Sequence, residues 1–326
     1  MTKAIRFYEF GGPEVLKLEE IDLGEPGPGQ LRLRHTSIGF NFLDGLVREG
    51  KYPVLPTLPS LMGTEGAGVI EAIGDGVTGF EIGQRVAYAS MSHGSYAEGR
   101  ILEAALAVAL PDNVSDEDAA ASMLKGMTTE YLTERCYPAK PGETALVHAA
   151  AGGVGLFLCQ WLKHLGVTVI AAVGSDDKKE LVLANGAAHA VNSRSEDFTK
   201  LARDVTGGEG VHVVYDSIGP AVWQGSLDAL RPRGYYVNFG NASGPLKPID
   251  AIELQMKGSV FFTKASMRYY QLIRADLELS ANRLFEMIGS GAVKPVIGQR
   301  YKLADAAQAQ IDVMARKTTG STIILP

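Results

Sequence analysis

A buried strand that runs directly into a glycine turn constrains this chain more than any other feature. Residues Ala145-Leu146-Val147-His148-Ala149 read as the strand, Ala150-Ala151-Gly152-Gly153-Val154-Gly155 as the turn, and Leu156–Leu165 as the helix that it opens. In the pattern G-x-G-x-x-G the second glycine lets the backbone approach a pyrophosphate, and the third lets helix and strand pack closely. Gly152 and Gly155 fit these two roles. Ala150 stands where the first glycine would be, so the match is A-x-G-x-x-G. The first amides of the helix and its dipole then face the phosphates, which makes Gly152, Gly153 and Val154 candidate cofactor residues. A turn of this kind also occurs as a plain structural corner. The strand before it and the helix after it favour a dinucleotide.

The surrounding pattern agrees. From about Thr144 the chain alternates strands and helices, with strands expected at Ala145–Ala149, Thr168–Val173, His189–Val191, Val211–Asp216, Tyr235–Phe239 and Val260–Thr263. This is the signature of a doubly wound parallel sheet. The first third reads differently. Short strands at Lys3–Phe10, Leu16–Leu23, Leu31–Ile38, Val69–Ile73 and Val86–Ala89 are separated by Gly and Pro, which suggests a small sandwich or barrel. One short helix is expected from near Asn41 to Gly50. Ser115-Asp116-Glu117-Asp118 opens another, with acids in its first turn. After residue 265, two helical stretches surround a short strand. A last strand, Thr322–Leu325, is expected to rejoin the N-terminal β-rich part. At 326 residues the chain exceeds the usual ceiling for one hydrophobic core, so two domains are expected.

The next strand tip bears on the choice of nucleotide. A site for the unphosphorylated dinucleotide usually carries an acid about 20 residues after the glycines, where it binds the ribose 2′-OH. Here Gly174 holds that position, followed by Ser175, Asp176, Asp177, Lys178 and Lys179. A hydroxyl and two ammonium groups suit a 2′-phosphate. The two aspartates partly cancel the lysines, and Asp-Asp-Lys-Lys also reads as the first turn of a surface helix. The balance favours NADPH.

Composition excludes several classes. A net charge of −6 without a long basic run argues against nucleic acid as a partner. Cys136 and Cys159 are the two cysteines, too few for a four-thiolate zinc lobe or a disulfide scaffold. The start MTKAIRFYEF lacks a signal-peptide core, and no apolar run reaches a membrane span, so a cytoplasmic location is expected. The six histidines show no metal-ligand spacing. His148, inside a buried strand, reads as a core histidine and Cys159 as a small hydrophobe.

Several stretches together carry a resemblance over the whole chain: GGPEVL, IGFNFLDGLVREGKYP, GTEGAGVI, AAASMLKGMT, HAAAGGVG, VVYDSIG and NFGNASG. The chain resembles the zinc-independent quinone oxidoreductases, the ζ-crystallin-like branch of the medium-chain dehydrogenase/reductase superfamily. The resemblance implies a GroES-like β-rich catalytic domain (1–124 and 266–326) carrying a Rossmann NADPH-binding domain (125–265). It implies hydride delivery from NADPH to a quinone, with reduction of an enone or alkenal double bond as the alternative chemistry. A non-catalytic NADPH- or RNA-binding role is the alternative of another class, and the acidic balance argues against RNA. Zinc-dependent relatives carry a ligand histidine in a G-H-E motif; this chain reads Gly63-Thr64-Glu65, so no metal is expected.

The resemblance implies a site as well. Asn41 and Asp44, three residues apart at a helix start, are expected beside the reacting groups. Asn41 would donate to a quinone oxygen, and Asp44 would orient it or bind a ribose hydroxyl. Tyr52 would supply an aromatic wall and a phenol. Asn and Asp at a helix start also act as caps. Phe42, Lys125, Thr128, Ser193, Phe239, Gly240, Asn241 and Arg316 match cofactor-contacting positions by resemblance. Leu46, Glu130 and Ser193 stand where relatives carry aromatic residues, so a wider, less aromatic pocket is expected. A homodimer is implied, for which Val260-Phe261-Phe262 offers an apolar edge.

Overall fold

The chain, described from Met1 to Pro326 in a computed structural model, divides into two units. One holds Met1–Met127, Ile273–Gly291 and Pro295–Pro326. The other holds Thr128–Leu272 with Ala292–Lys294.

The first unit opens with β1 (Thr2–Phe7), β2 (Lys17–Ile21), β3 (Gln30–Phe40), α1 (Phe42–Arg48), β4 (Ser60–Leu61), β5 (Glu65–Ile73), β6 (Arg85–Ala89), β7 (Gly99–Glu103), β8 (Val108–Ala109) and α2 (Asp116–Glu130). In β3, Leu31, Leu33 and His35 are buried between more open neighbours, and from Ser37 to Phe40 every residue is buried. The strand therefore leaves a one-sided surface and enters the core just before Asn41. Helix α2 starts with a reciprocal cap: Asp118 N–H donates to Ser115 Oγ at 3.0 Å, and Ser115 Oγ–H donates to Asp118 Oδ2 at 2.7 Å. The helix passes from the first unit into the second and continues as a π-helical stretch, Tyr131–Cys136.

The second unit carries β9 (Thr144–His148), α3 (Gly153–His164), β10 (Thr168–Val173), α4 (Lys179–Ala184), β11 (His189–Asn192), α5 (Phe198–Val205), β12 (Val211–Asp216), α6 (Trp223–Ala229), β13 (Leu230–Asn238), α7 (Ala251–Met256), β14 (Phe261–Lys264) and α8 (Met267–Tyr270). Its six strands pair in parallel in the order β11-β10-β9-β12-β13-β14. The order reverses between β9 and β12, and in such sheets ligands bind beyond the carboxyl ends of the strands at that switch. Leu146, Ile170, Val214 and Tyr236 form the core on one face with Ala202 and Leu227.

The chain then returns to the first unit through α9 (Arg274–Gly289), β15 (Ile297–Lys302), α10 (Ala306–Met314) and β16 (Ser321–Leu325). Strand β16 pairs antiparallel with β3, Thr322 opposite Phe40, in a sheet ordered β15-β16-β3-β5-β6-β8 with β7 also on β3. Residues 266–272 were expected with this unit and instead group with the second. The Tyr270 ring stacks on Tyr131 at 4.4 Å, and its carbonyl accepts from Arg135 Nη1 at 2.8 Å. Helix α3 also starts earlier than expected, at Gly153, so Gly155 lies within its first turn.

Candidate functional site

In the first unit, the end of β3 delivers Asn41 to the start of α1. Asn41 caps that helix: the Asp44 carboxylate accepts the Asn41 backbone N–H at 2.9 Å, and Asp44 N–H donates to the Asn41 carbonyl at 3.0 Å. The capping alternative is met at Asp44, whose carboxylate closes the capping box with Asn41. Asp44 is fully buried, and its oxygens also accept from Tyr96 O–H at 2.9 Å and Thr64 O–H at 3.2 Å. Desolvation pushes its carboxyl up to about 6, although the Asn41 and Tyr96 bonds oppose the rise. Asp44 acts on its surroundings by holding Asn41, Tyr96 and Thr64 in place.

The Asn41 side chain is committed on one edge. Its Nδ2 donates to Glu65 Oε2 at 2.7 Å. The same oxygen accepts Lys125 Nζ at 3.3 Å, and Glu65 Oε1 accepts Leu124 N–H at 2.6 Å. Glu65 is fully buried and Lys125 nearly so. This carboxylate, from the segment Gly63-Thr64-Glu65, joins β3, β5 and α2, and sequence reasoning did not single it out. Lys125 lies in the first unit and Thr128 in the second, where it is buried. Phe42 opens α1, partly buried. Tyr52 packs half-buried against the cluster of Phe40, Val47 and Tyr96, its phenol raised by burial. Arg316 is exposed just after α10, in the left-handed region at φ 59°.

A zinc ion does not fit this cluster. Thr64 spends its hydroxyl on Asp44, and the free lone pairs of Glu65 face an ammonium group rather than other ligands. No group of three His, Cys, Asp or Glu side chains is placed to hold a metal ion.

In the second unit, the turn between β9 and α3 is built for an anion. Gly152 precedes the helix, and no side chain caps the N-terminal amides. A methyl group at Gly155 would stand 2.4 Å from the Ala149 carbonyl oxygen, so only glycine lets α3 lie this close to the strand. Ala149 itself adopts φ 49°, a conformation costly for a residue with a Cβ. These features fit a dinucleotide pyrophosphate.

At the tip of β10, Gly174 and Ser175 are partly open. Lys179 is less available than expected, because Asp176 holds its Nζ at 3.0 Å and Glu196 at 2.6 Å. Another cation stands here instead. A Cβ at Gly174 would meet Arg194 Nε at 3.7 Å and its Nη2 at 3.9 Å, and this exposed guanidinium makes no ion pair. Lys178, next to Lys179 in sequence, is partly buried. Ser193 turns inward and donates to the Val173 carbonyl at 3.1 Å.

The tips of β12 and β13 are fixed by a buried carboxylate. Asp216 accepts from Tyr236 O–H at 2.9 Å, Asn238 Nδ2 at 2.7 Å, Ile218 N–H at 2.6 Å and Gly219 N–H at 3.0 Å. Lys264 donates to Asn238 Oδ1, to the Gly240 carbonyl at 3.1 Å and to Asn241 Oδ1 at 2.9 Å, which holds the Phe239-Gly240-Asn241 loop in place. Glu130 does not open space as expected. It is buried and forked by Arg135, with Oε1···Nε at 2.9 Å and Oε2···Nη2 at 2.7 Å. His148 is fully buried and half satisfied: Nε2 meets Ser226 Oγ at 2.7 Å, and Nδ1 has no partner.

Two family models match the chain, "Alcohol dehydrogenase GroES-like domain" over residues 27–133 and "Zinc-binding dehydrogenase" over residues 153–278. A quinone oxidoreductase of Pseudomonas aeruginosa is 45% identical over 326 residues, covering all of both chains. The chain belongs to the quinone oxidoreductase family. The solved structure of the Escherichia coli quinone oxidoreductase complexed with NADPH is 41% identical with full coverage of both chains and a TM-score of 0.96. A Burkholderia family relative named 2-haloacrylate reductase is 40% identical over 331 residues, covering 100% of this chain and 99% of its own. No helix is long and apolar enough to cross a membrane.

Proposed function

We propose that this family member is an NADPH-dependent quinone reductase of the cytoplasm. The observation that carries the reading is full-length likeness to quinone oxidoreductases, one of them solved with NADPH. The local chemistry supports it: an uncapped helix start behind a glycine turn, and a strand tip with a free guanidinium where an acid would exclude a 2′-phosphate.

The amides of Gly152, Gly153 and Val154 bind the pyrophosphate. Ser175, Lys178 and Arg194 receive the 2′-phosphate beside Gly174, with Ser193 as a backbone brace. Thr128 and the Phe239-Gly240-Asn241 loop line the remaining cofactor contacts, and Phe42, Lys125 and Arg316 supply those of the first unit. Bound NADPH supplies the hydride. Asn41 steadies the acceptor oxygen through its remaining N–H as negative charge develops there. Asp44 holds Asn41 at the helix start, and Tyr52 walls the acceptor and offers its phenol proton. The balance is NADPH, one proton and a quinone giving NADP⁺ and a quinol.

A homodimer is part of the reading. Strand β14 is the outer strand of its sheet, and Phe261 exposes half its surface. Sedimentation that finds only monomer would reject it.

The functional test is loss of NADPH absorbance with 1,4-benzoquinone or 9,10-phenanthrenequinone, with product analysis. Quinol formation supports the proposal. Tight NADPH binding without turnover of either quinone, or turnover confined to activated double bonds such as a haloacrylate, overturns it.

A further inference from the structure

Glu65 is an expensive residue to keep where it is. It is a fully buried carboxylate, and burying an ion costs several kcal/mol unless partners surround it. It has them: Leu124 N–H on Oε1, and Asn41 Nδ2 with Lys125 Nζ on Oε2. The backbone also makes room for it. A Cβ at Gly39 would stand 2.4 Å from Glu65 Oε2 and 2.3 Å from the Ala120 carbonyl oxygen, so β3 passes this carboxylate only as glycine. Apolar side chains would fill such a space at less cost, so the arrangement calls for a reason beyond packing.

The reason lies in the symmetry of a carboxamide. Rotating an asparagine side chain by half a turn exchanges its donor and acceptor edges with little change of shape. Asn41 sits between a capped helix start and a carboxylate that accepts and cannot donate. Glu65 therefore fixes the NH₂ edge toward itself, which turns Oδ1 to the Asp44 N–H of the capping box and leaves one N–H for other partners. Lys125 places a countercharge 3.3 Å from the same carboxylate oxygen.

We infer that Glu65 is the positioning residue of this site, setting the orientation of the Asn41 carboxamide, with Lys125 as its counter-ion and Gly39 as the gap that admits it. The kinetic part of the inference rests on the quinone reductase reading, in which Asn41 touches the acceptor.

The test compares E65Q, N41A, N41A/E65Q and the charge-neutral pair E65Q/K125M, which keeps a folded comparison available if E65Q alone destabilises the protein by taking the carboxylate from the buried ammonium. With saturating NADPH and 1,4-benzoquinone, E65Q is expected to lose about 10- to 100-fold in kcat while its KM for NADPH stays within about twofold, and E65Q/K125M is expected to lose at least as much in kcat. Because Glu65 acts through Asn41, N41A/E65Q is expected to be no slower than N41A. A merely structural role would give additive losses. A second readout needs no turnover: in protein labelled with ¹⁵N-asparagine, one Asn41 side-chain proton is expected to exchange slowly and to lose that protection in E65Q/K125M. Full kcat in folded E65Q/K125M, additive losses in N41A/E65Q, or equal exchange of both Asn41 protons in the wild type would each overturn the inference. A wild type that ignores quinones but keeps the slow proton would overturn the proposed function and leave the positioning of Asn41 standing.

Discussion

Two glycines of the nucleotide turn carry opposite burdens, and the structure separates them. At Gly155 an added methyl would lie 2.4 Å from the Ala149 carbonyl oxygen and 2.6 Å from both the Cα and the carbonyl oxygen of Ala150. All three atoms are backbone, so the start of α3 must move away from β9. Overpacking of this kind costs about 1–3 kcal/mol, and each kcal/mol lowers melting by about 2–4 °C in a unit of this size. At Gly152 the same methyl meets only the Ala149 carbonyl oxygen, at 3.2 Å, and the backbone at φ −81°, ψ 174° suits any residue. Gly152→Ala should therefore cost less than about 1 kcal/mol in stability. That methyl would, however, occupy the space through which the backbone approaches a pyrophosphate, so NADPH affinity should fall tenfold or more, about 1.4 kcal/mol or greater. The assay is paired: thermal melting without nucleotide, and titration with NADPH followed by its fluorescence. Gly155→Ala should show the melting loss and Gly152→Ala the affinity loss at an unchanged melting point. A Gly155→Ala protein as stable as wild type, or a Gly152→Ala protein that binds NADPH normally, would refute the division of roles.

Other expectations are shorter. Arg194→Ala should raise the KM for NADPH about tenfold and leave that for NADH unchanged, since the lost contact is a charge-assisted one to the 2′-phosphate; equal effects on both nucleotides would remove Arg194 from that role. Asp44 has a folded-state value of about 6 against 3.8, so the stability it adds is present below pH 3.8 and is lost as pH rises through 6, about 3 kcal/mol at 1.4 kcal/mol per unit. Asp44→Asn should therefore gain on the wild type between pH 4.5 and 7.5 in urea unfolding, and a pH-independent difference would contradict this. Burial holds His35 and His148 neutral by lowering each to about 4 from 6.5, so their contribution is present above pH 6.5 and is lost as pH falls through 4. His148→Gln should flatten that acid limb by about 3 kcal/mol, read from unfolding midpoints between pH 4 and 7.

The sequence was most legible where a signal is local. The strand, turn and helix around Gly152 and Gly155 announce themselves within about twenty residues, and the alternation of β9 to β14 with helices follows from hydrophobic period alone. The spacing of Asn41 and Asp44 made their cap legible locally, and the resemblance marked them as site residues. Glu65 was not legible, because its partners Asn41 and Lys125 lie 24 and 60 residues away and no periodicity marks a carboxylate that a glycine on another strand makes room for. Arg194 sits in Ser193-Arg194-Ser195-Glu196-Asp197, which reads as solvated surface; only the fold brings it beside Gly174. Lys179 misled for the converse reason, since Glu196, which draws it away, is distant in sequence.

The pairing of β16 with β3 has a consequence for how this protein is made. The segment that completes the first sheet leaves the ribosome nearly three hundred residues after the strand it must join. The second unit, with the parallel sheet, ends at Lys294, so all of its residues are synthesised while β3 still lacks β16 on its flank. Nascent chains halted just before Ser321 should be more sensitive to protease in their first hundred residues than chains that include Leu325.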